Sequence, residues 1–437
     1  MIKKSPLYID YSLTTDNEVT LRSARNLFGQ LNLGNRKVEL KFAFLVCLLL
    51  NLKRGYEYRR NIIIPQDKEF YRRNTHNARP LYQTFHIVVD TIKELERKGF
   101  IKNCGYVIKH VISNYSPERS LIPYFSGYDM NVAFVHPPLK YVILRQLNDE
   151  TGDYESSDKY IDIDYSATQL TNKMTNDLIQ YNGIRESSVI SLNDLPLDIF
   201  FKHKGEFLLR WSVDNLESLC KKDGKVSLTL MKSYLVRIFN RDFKRGGRFY
   251  RGVESNMPEE LRRHIQINGK PTVELDYSGH HLRMLYHLKN IDLKKDPYAI
   301  EKNMTPEIRD IYKIVSLIGI NAKDNTQALK ALWKKLEKEN LSQHLPDNLK
   351  ATRQQLIDNF KEHNYRIKGY LFKQKCHLLM NIDSKISNDI LTYFAKKGIL
   401  ALCVHDSYII EKQHAKELLK VMRSAYNARL GFYPIIK

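Results

Sequence analysis

The sequence predicts an α+β chain, and three observations lead there. Val273-Glu274-Leu275-Asp276 alternates with the period of a strand, and Leu282, Leu285 and Tyr286 then recur at helical spacing. Two apolar runs, Leu400–Val404 and Tyr408–Ile410, flank His405-Asp406-Ser407 and read as a hairpin with an acidic tip. Long stretches of helical period surround these short strands, so helices and antiparallel strands occupy separate parts of the chain.

At 437 residues the chain has room for two or three domains and a sizeable core. Its formal net charge of +21 points to a polyanionic partner, nucleic acid first. Five scattered cysteines without metal-ligand spacing are expected to be reduced thiols of a cytoplasmic protein. Met1–Pro6 leads into polar sequence rather than a secretory leader, and the apolar Phe42–Leu52 is too short to span a bilayer, so no membrane partner is expected.

In chain order, residues 1–35 are polar and read as an arm with little structure of its own. Lys37–Leu52 is an apolar, buried helix. Arg54, Arg59, Arg60, Lys68, Arg72 and Arg73 interleave with Tyr56, Tyr58 and Tyr71, a mixture suited to phosphate contact and base stacking, or to a solvated basic loop. Arg79–Lys98 is an amphipathic helix closed by Gly99, followed by a hairpin that turns at Asn103-Cys104-Gly105. Helix, helix, hairpin over 36–112 suggests a winged-helix module, a fold that serves nucleic-acid and protein contacts alike. Residues 113–235 are mixed. Asn148–Asp164 is the linker candidate, Ala167–Asn182 is helical, and Leu192–Val236 carries helical period anchored by Trp211. Thr305-Pro306-Glu307 opens a helix with an N-cap, an early proline and an early acid. Further helices are expected at Ala328–Asn340, Asn348–His363, Gln374–Ala395 and Gln413–Leu430.

The chemistry gathers around two acids. Asp276 alone also suits a turn or a cap, but Asp406 between two apolar runs is costly to bury unpaired. A metal bridged between them accounts for both. Two-metal phosphoryl transfer uses carboxylates on adjacent strands to hold two Mg²⁺ ions roughly 4 Å apart. Lys244-Arg245-Gly246-Gly247-Arg248 joins cations to glycines that let a backbone approach a phosphodiester, although a basic turn has the same composition. Arg309 and Lys313 lie one helical turn apart and suit a triphosphate clamp or a solvated pair.

Taken as an ordered series, these residues resemble a known family. Asp276-Tyr277-Ser278 with its following helix is similar to motif A of family A DNA polymerases, the bacterial DNA polymerase I group. Val404-His405-Asp406 resembles motif C, while Ser407 is closer to the phage-type single-subunit RNA polymerases. Gly247-Arg248, Asn256-Met257-Pro258 and Arg262-Arg263 precede motif A in the family's order, and Arg309 with Lys313 resembles the motif B pair. The resemblance covers roughly 240–437. It implies a right-hand polymerase: a thumb-like region at 113–235, an antiparallel palm sheet from 236–295 and 371–437, and helical fingers at 296–370.

The resemblance also implies roles. Asp276 and Asp406, with the Tyr277 carbonyl, would hold two Mg²⁺ (or Mn²⁺) ions. Arg309 and Lys313 would bind the triphosphate, with Lys313 passing a proton to the leaving pyrophosphate. His281 and Leu317 would border the nucleotide's sugar and base. Arg248, Asn256, Arg263, Gln374 and His405 would face primer and template, with a looser match at His377, Asn381, Asp383 and Lys385. Two departures stand out. Leu317 and Asn321-Ala322 replace the family's aromatic and Tyr-Gly, and His281 replaces the gating Glu of the DNA enzymes or Gly of the RNA enzymes. The expectation is template-directed nucleotidyl transfer on a DNA primer-template from deoxynucleoside triphosphates, with incomplete exclusion of ribonucleotides and no proofreading exonuclease. The alternatives are RNA polymerase or primase-like activity on the same palm, and a non-catalytic replication protein whose winged helix does the work; RNA is the alternative to DNA as the nucleic-acid partner. By analogy, compact polymerases of this kind point to a bacterial, phage, plasmid or other mobile-element source.

Overall fold

The computed structural model describes residues 7–57, 59–68, 71, 82–108, 112–125, 133–135, 138, 140–147, 160–208, 224–301, 304–345 and 349–437. Trp211, Tyr58, Arg72, Arg73 and most of the expected linker at 148–164 lie outside these residues.

The N-terminal unit is built around an apolar helix. It begins with β1 (Leu7–Tyr8), β2 (Leu13–Thr15), α1 (Glu18–Phe28) and α2 (Val38–Glu57). These are followed by β3 (Ile62–Pro65), α3 (Phe85–Arg97), β4 (Ile101–Ile108), β5 (Ile112–Pro117) and β6 (Ala133–Val135). One sheet runs β1-β3-β5-β4. The α2 residues Phe44, Leu45 and Cys47–Leu50 are all fully buried in its core.

Several expectations are corrected here. Residues 7–28 are no structureless arm: Leu13, Ala24 and Leu27 are fully buried, and β2 pairs with β6. Asn103-Cys104-Gly105 is no hairpin turn. It is a bulge inside β4, held by Gly105 N–H donating to Asn103 Oδ1 at 2.9 Å. Arg54 and Tyr71 of the basic–aromatic stretch are buried, and Tyr71 Oη donates to the Pro65 carbonyl at 2.8 Å. Those two are core residues, unable to meet nucleic acid.

The remainder of the chain wraps a mostly antiparallel framework. Its elements start with β7 (Val142–Leu147), β8 (Tyr160–Ile163), α4 (Gln169–Ser187), β9 (Ile190–Pro196), α5 (Leu197–His203) and β10 (Lys225–Thr229). Next come β11 (Val236–Asn240), β12 (Asp242–Tyr250), α6 (Glu259–Arg262), β13 (Ile265–Ile267), β14 (Lys270–Asp276) and α7 (His280–His287). Four helices follow: α8 (Pro306–Asn321), α9 (Asn325–Lys338), α10 (Leu349–His363) and α11 (Cys376–Ala395). β15 (Ala401–Val404), β16 (Ser407–Glu411) and α12 (Ala415–Leu430) complete the series.

The central sheet runs β10-β9-β13-β14-β16-β15, and a second sheet runs β12-β11-β7-β8. The α+β class therefore holds. The 113–235 region, however, is no separate helical element. Its β9 and β10 extend the central sheet, where helical period was expected over Leu192–Val236, and α4 packs beneath it with Tyr181 Oη donating to the Ala401 carbonyl at 2.8 Å. A fully buried ion pair, Arg185 with Glu254 at 2.5 Å, ties α4 to the segment after β12, and Ser233 takes two further guanidinium protons. Such a pair tolerates burial because its polar atoms are satisfied.

The glycines of Lys244–Arg248 are corrected too. They form no loop but a bulge within β12, with Gly246 at φ +73° and Gly247 at φ +87°. Their carbonyls accept from Asn381 on α11 and from Arg237, so the close approach is to protein rather than to a phosphodiester.

Candidate active site

Register brings the two acids together. β14 lies antiparallel to β16 with Asp276 opposite Ser407, and β15 pairs with β16 so that Val404 also faces Ser407. That leaves His405-Asp406 as a two-residue turn beside the end of β14, and Tyr277 N–H donates to the Asp406 carbonyl at 3.4 Å. His405 takes φ +58°, a region that side chains seldom adopt and that recurs at functional turns. Tyr277 is buried, with its hydroxyl on the Met422 carbonyl at 2.7 Å and its ring stacked on His280 at 4.8 Å.

Asp276 is exposed at the end of β14. Desolvation, and after it the charge of Asp406, push its carboxyl up to about 7. An acid whose ionisation is penalised by a neighbouring carboxylate is a natural seat for a cation. No protein donor among the described residues hydrogen-bonds the Tyr277 carbonyl, and Tyr277 itself is buried. The described residues contain no cluster of three or more His, Cys, Asp or Glu at metal-holding distance. Two carboxylates and one carbonyl suit a hard, oxygen-preferring cation that takes its other ligands from water or phosphate. The residues present therefore fit Mg²⁺ or Mn²⁺.

Behind the acids lies a buried relay. Asp383 on α11, wholly buried, accepts from Arg248 Nε at 2.7 Å and is bonded to His280 Nε2 at 2.9 Å. Burial opposes its ionisation, but Arg248 and His280 outweigh that and hold the carboxyl below the usual range. Arg248 Nη2 also meets His281 Nε2 at 2.9 Å. Because a guanidinium only donates, Nε2 must accept, and the imidazole carries its proton on Nδ1. Burial first, then the charges of His280 and Arg248, push the His281 pKa down to about 3, so the ring is neutral. Gly279, at φ +58°, starts α7, and a Cβ there would stand 2.5 Å from Pro297 Cγ.

Arg262, rather than Arg263, faces the hairpin. It donates to Glu274 at 2.9 and 3.0 Å, and Ser407 Oγ donates to the same carboxylate at 2.5 Å. Arg263 makes an exposed pair with Glu259. Sequence reasoning gave no role to Arg262, Glu274 or His280 and treated Asp383 loosely. A signal for Asp383 was present: an acid between Ile382 and Ile386 in an apolar helix demands a partner.

On α8, Thr305 caps the helix and Asp310, Lys313, Leu317 and Asn321 share its exposed face, with Leu317 half open. Arg309 donates to Asp296 at 2.7 Å over the Tyr298 ring, and Lys313 to Asp310 at 2.5 Å. Both expected clamp cations are thus engaged by acids. Burial, and after it the charge of Asp406, push the Tyr298 hydroxyl above its usual range. Asn256 and Gln374 are exposed, and the Gln374 N–H is pinned to the Ala322 carbonyl at 3.2 Å. Among the described residues no hydrogen bond or ion pair joins Asn256, Arg263 or Gln374 to Asp276 or Asp406.

No family model matches the chain, and no curated protein matches it. Among solved structures it is similar to the POL domain of Pol1 from M. smegmatis in complex with DNA primer-template and dNTP. The TM-score is 0.33 at 13% identity, covering 55% of this chain and 54% of that one. The chain spans about half the length of that structure, and a likeness at this score decides nothing by itself. No described helix is long and apolar enough to cross a membrane.

Proposed function

We propose that this chain is a template-directed nucleotidyltransferase of family A polymerase type, acting on a nucleic-acid primer-template with nucleoside triphosphates. The single observation that carries this is the register that sets Asp276 beside the Asp406 turn, in the two segments that resemble motifs A and C. Asp276, Asp406 and the Tyr277 carbonyl would hold two Mg²⁺ or Mn²⁺ ions, which when bound supply the positive charge that activates the attacking hydroxyl and stabilises the leaving oxygen. Arg309 and Lys313 would exchange Asp296 and Asp310 for phosphate oxygens, and Lys313 would then donate a proton to the leaving pyrophosphate. Arg248 and Asp383 hold the His281 ring in place. Its bulk would crowd a 2′-hydroxyl, while its Nδ1–H would donate to one, which favours deoxynucleotides without excluding ribonucleotides. Helix α2, strand β3, helix α3 and hairpin β4–β5, with β5 central in its sheet, support a winged-helix module for nucleic acid.

The engagement of both clamp cations by acids favours a second reading, a non-catalytic nucleic-acid binding protein. Extension of a labelled primer with dNTPs and NTPs in parallel, in Mg²⁺ or Mn²⁺, separates the two. Incorporation that is lost in Asp276→Asn and in Asp406→Asn, with primer-template binding kept, is the expected result. A silent wild type that still binds primer-template selects the second reading. His281→Gly should raise NTP use relative to dNTP use and His281→Glu should lower it. A wild-type NTP preference that vanishes in His281→Ala would make the enzyme an RNA polymerase or primase.

A further inference from the structure

We infer that Lys437 is a third triphosphate-binding cation of this site, presented by a short strand, Ile435–Lys437, that builds onto Asp276. This deepens, and rests on, the nucleotidyl-transfer reading. The strand fills an edge that β13 leaves open, since β13 pairs with β14 only at Lys270 and Pro271. Further along, Asp276 N–H donates to the Lys437 carbonyl at 3.0 Å, Lys437 N–H to the Asp276 carbonyl at 2.9 Å, and Ser278 N–H to the Ile435 carbonyl at 2.9 Å. Tyr277 and Ile436 form the antiparallel bridge between these bonds.

The segment is anchored before it arrives. Gly431 ends α12 at φ +74°, Phe432 stacks on the buried His287 at 4.6 Å, and Pro434 is buried. Residues that exchange both backbone hydrogen bonds across an antiparallel pair project their side chains on the same face, with Cβ atoms about 5 Å apart. Lys437 is therefore the cross-strand neighbour of Asp276. Its charge is felt by Asp276 and also by Asp296, the acid that holds Arg309.

Charge balance gives the lysine its occupant. Arg309 and Lys313 are each paired with an acid, whereas Lys437 is exposed and forms no ion pair among the described residues. A flexible ammonium beside a pair of acids, ion-paired with neither among the described residues, suits a ligand that arrives carrying several negative oxygens. A nucleoside triphosphate is such a ligand.

The test is steady-state incorporation of dNTP on a fixed primer-template at saturating Mg²⁺. Lys437→Ala should raise the KM for dNTP about tenfold, the loss of one charge-assisted hydrogen bond, with kcat and primer-template Kd within a factor of about three. Lys437→Arg should restore KM, and Lys437→Glu should raise it beyond Lys437→Ala. A purely structural role would instead lower kcat and the melting temperature together and would not be rescued by arginine, which overturns the inference. So would a Lys437→Ala effect that disappears in an Asp296→Asn background, since the lysine would then act only through Asp296 and Arg309. An active wild type whose KM is untouched by Lys437→Ala overturns the inference alone. A wild type that incorporates nothing overturns the nucleotidyl-transfer reading, and the inference with it.

Discussion

Asp276 is the residue whose chemistry is easiest to read from outside. Its carboxyl is raised to about 7 by desolvation and by Asp406, so the folded protein keeps a proton there that the unfolded chain has already lost. The sign follows. The raised pKa contributes stability that is fully present below the unfolded carboxylate range and is lost as pH rises through about 7. Metal-free protein should lose stability between about pH 4 and 7 from this group, and Asp276→Asn should flatten that fall. Mg²⁺ binds the ionised form, so the rise in melting temperature on adding Mg²⁺ should be larger at pH 8 than at pH 6. Equal rises at both pH values would remove Asp276 from the metal site. Asp383 is the complementary case, an acid that must stay ionised. Asp383→Asn leaves the Arg248 guanidinium buried without its counter-charge and should cost about 3 kcal/mol in urea denaturation. It should also free the His281 ring, so the ratio of NTP to dNTP use should shift even at a temperature where the variant is folded.

At the scale of elements, the site hangs on two backbone irregularities. The β15–β16 turn needs only two residues because His405 accepts a left-handed conformation, and a longer loop would carry Asp406 away from β14. The β12 bulge does the same for Arg248. Gly247 lies against the Phe239 ring, and a methyl group there would drive into it at a φ that alanine resists. Gly247→Ala should therefore destabilise the protein by about 2 kcal/mol and loosen Arg248 from Asp383. Incorporation should fall by more than the loss of folded protein explains. A variant of normal stability and normal activity would show that the bulge tolerates a side chain and that Arg248 is positioned by other contacts.

Across the whole molecule, two large cores divide the work. The N-terminal core runs from Ile9 to Phe125, joined by Met231, and the second gathers the central sheet with α4 and α7–α12. A cut at residue 110 would separate β4 from β5 and leave part of the N-terminal core behind, so a deletion meant to remove that unit must run past β6. Removing residues 1–137 should weaken primer-template binding and flatten the dependence of log K on log salt, because it takes away phosphate-contacting cations of a strongly basic chain. An unchanged slope would assign that unit to protein contacts.

Local pattern was enough for some of this. The strand before Asp276, the apolar arms around Asp406, the cap at Thr305 and the helical runs of α8–α12 are all kept as elements, although β15 and β16 are buried on both faces and Val273, Glu274 and Leu275 are alike half-buried. Period says nothing about partners, and there the sequence misled. Asn103-Cys104-Gly105 has turn chemistry but is spent on a bulge, because β5 supplies the pairing strand beyond it. Gly246-Gly247 has the chemistry of phosphate approach but is spent on α11 and Phe239. Asp276 and Asp406 meet only through the β14–β16 register, Asp383 meets Arg248 only because α11 packs on β12, and Lys437 reaches Asp276 only where β13 has left an edge. Those choices depend on hydrogen bonds and burial between segments far apart in the chain, which a window of neighbouring residues does not contain.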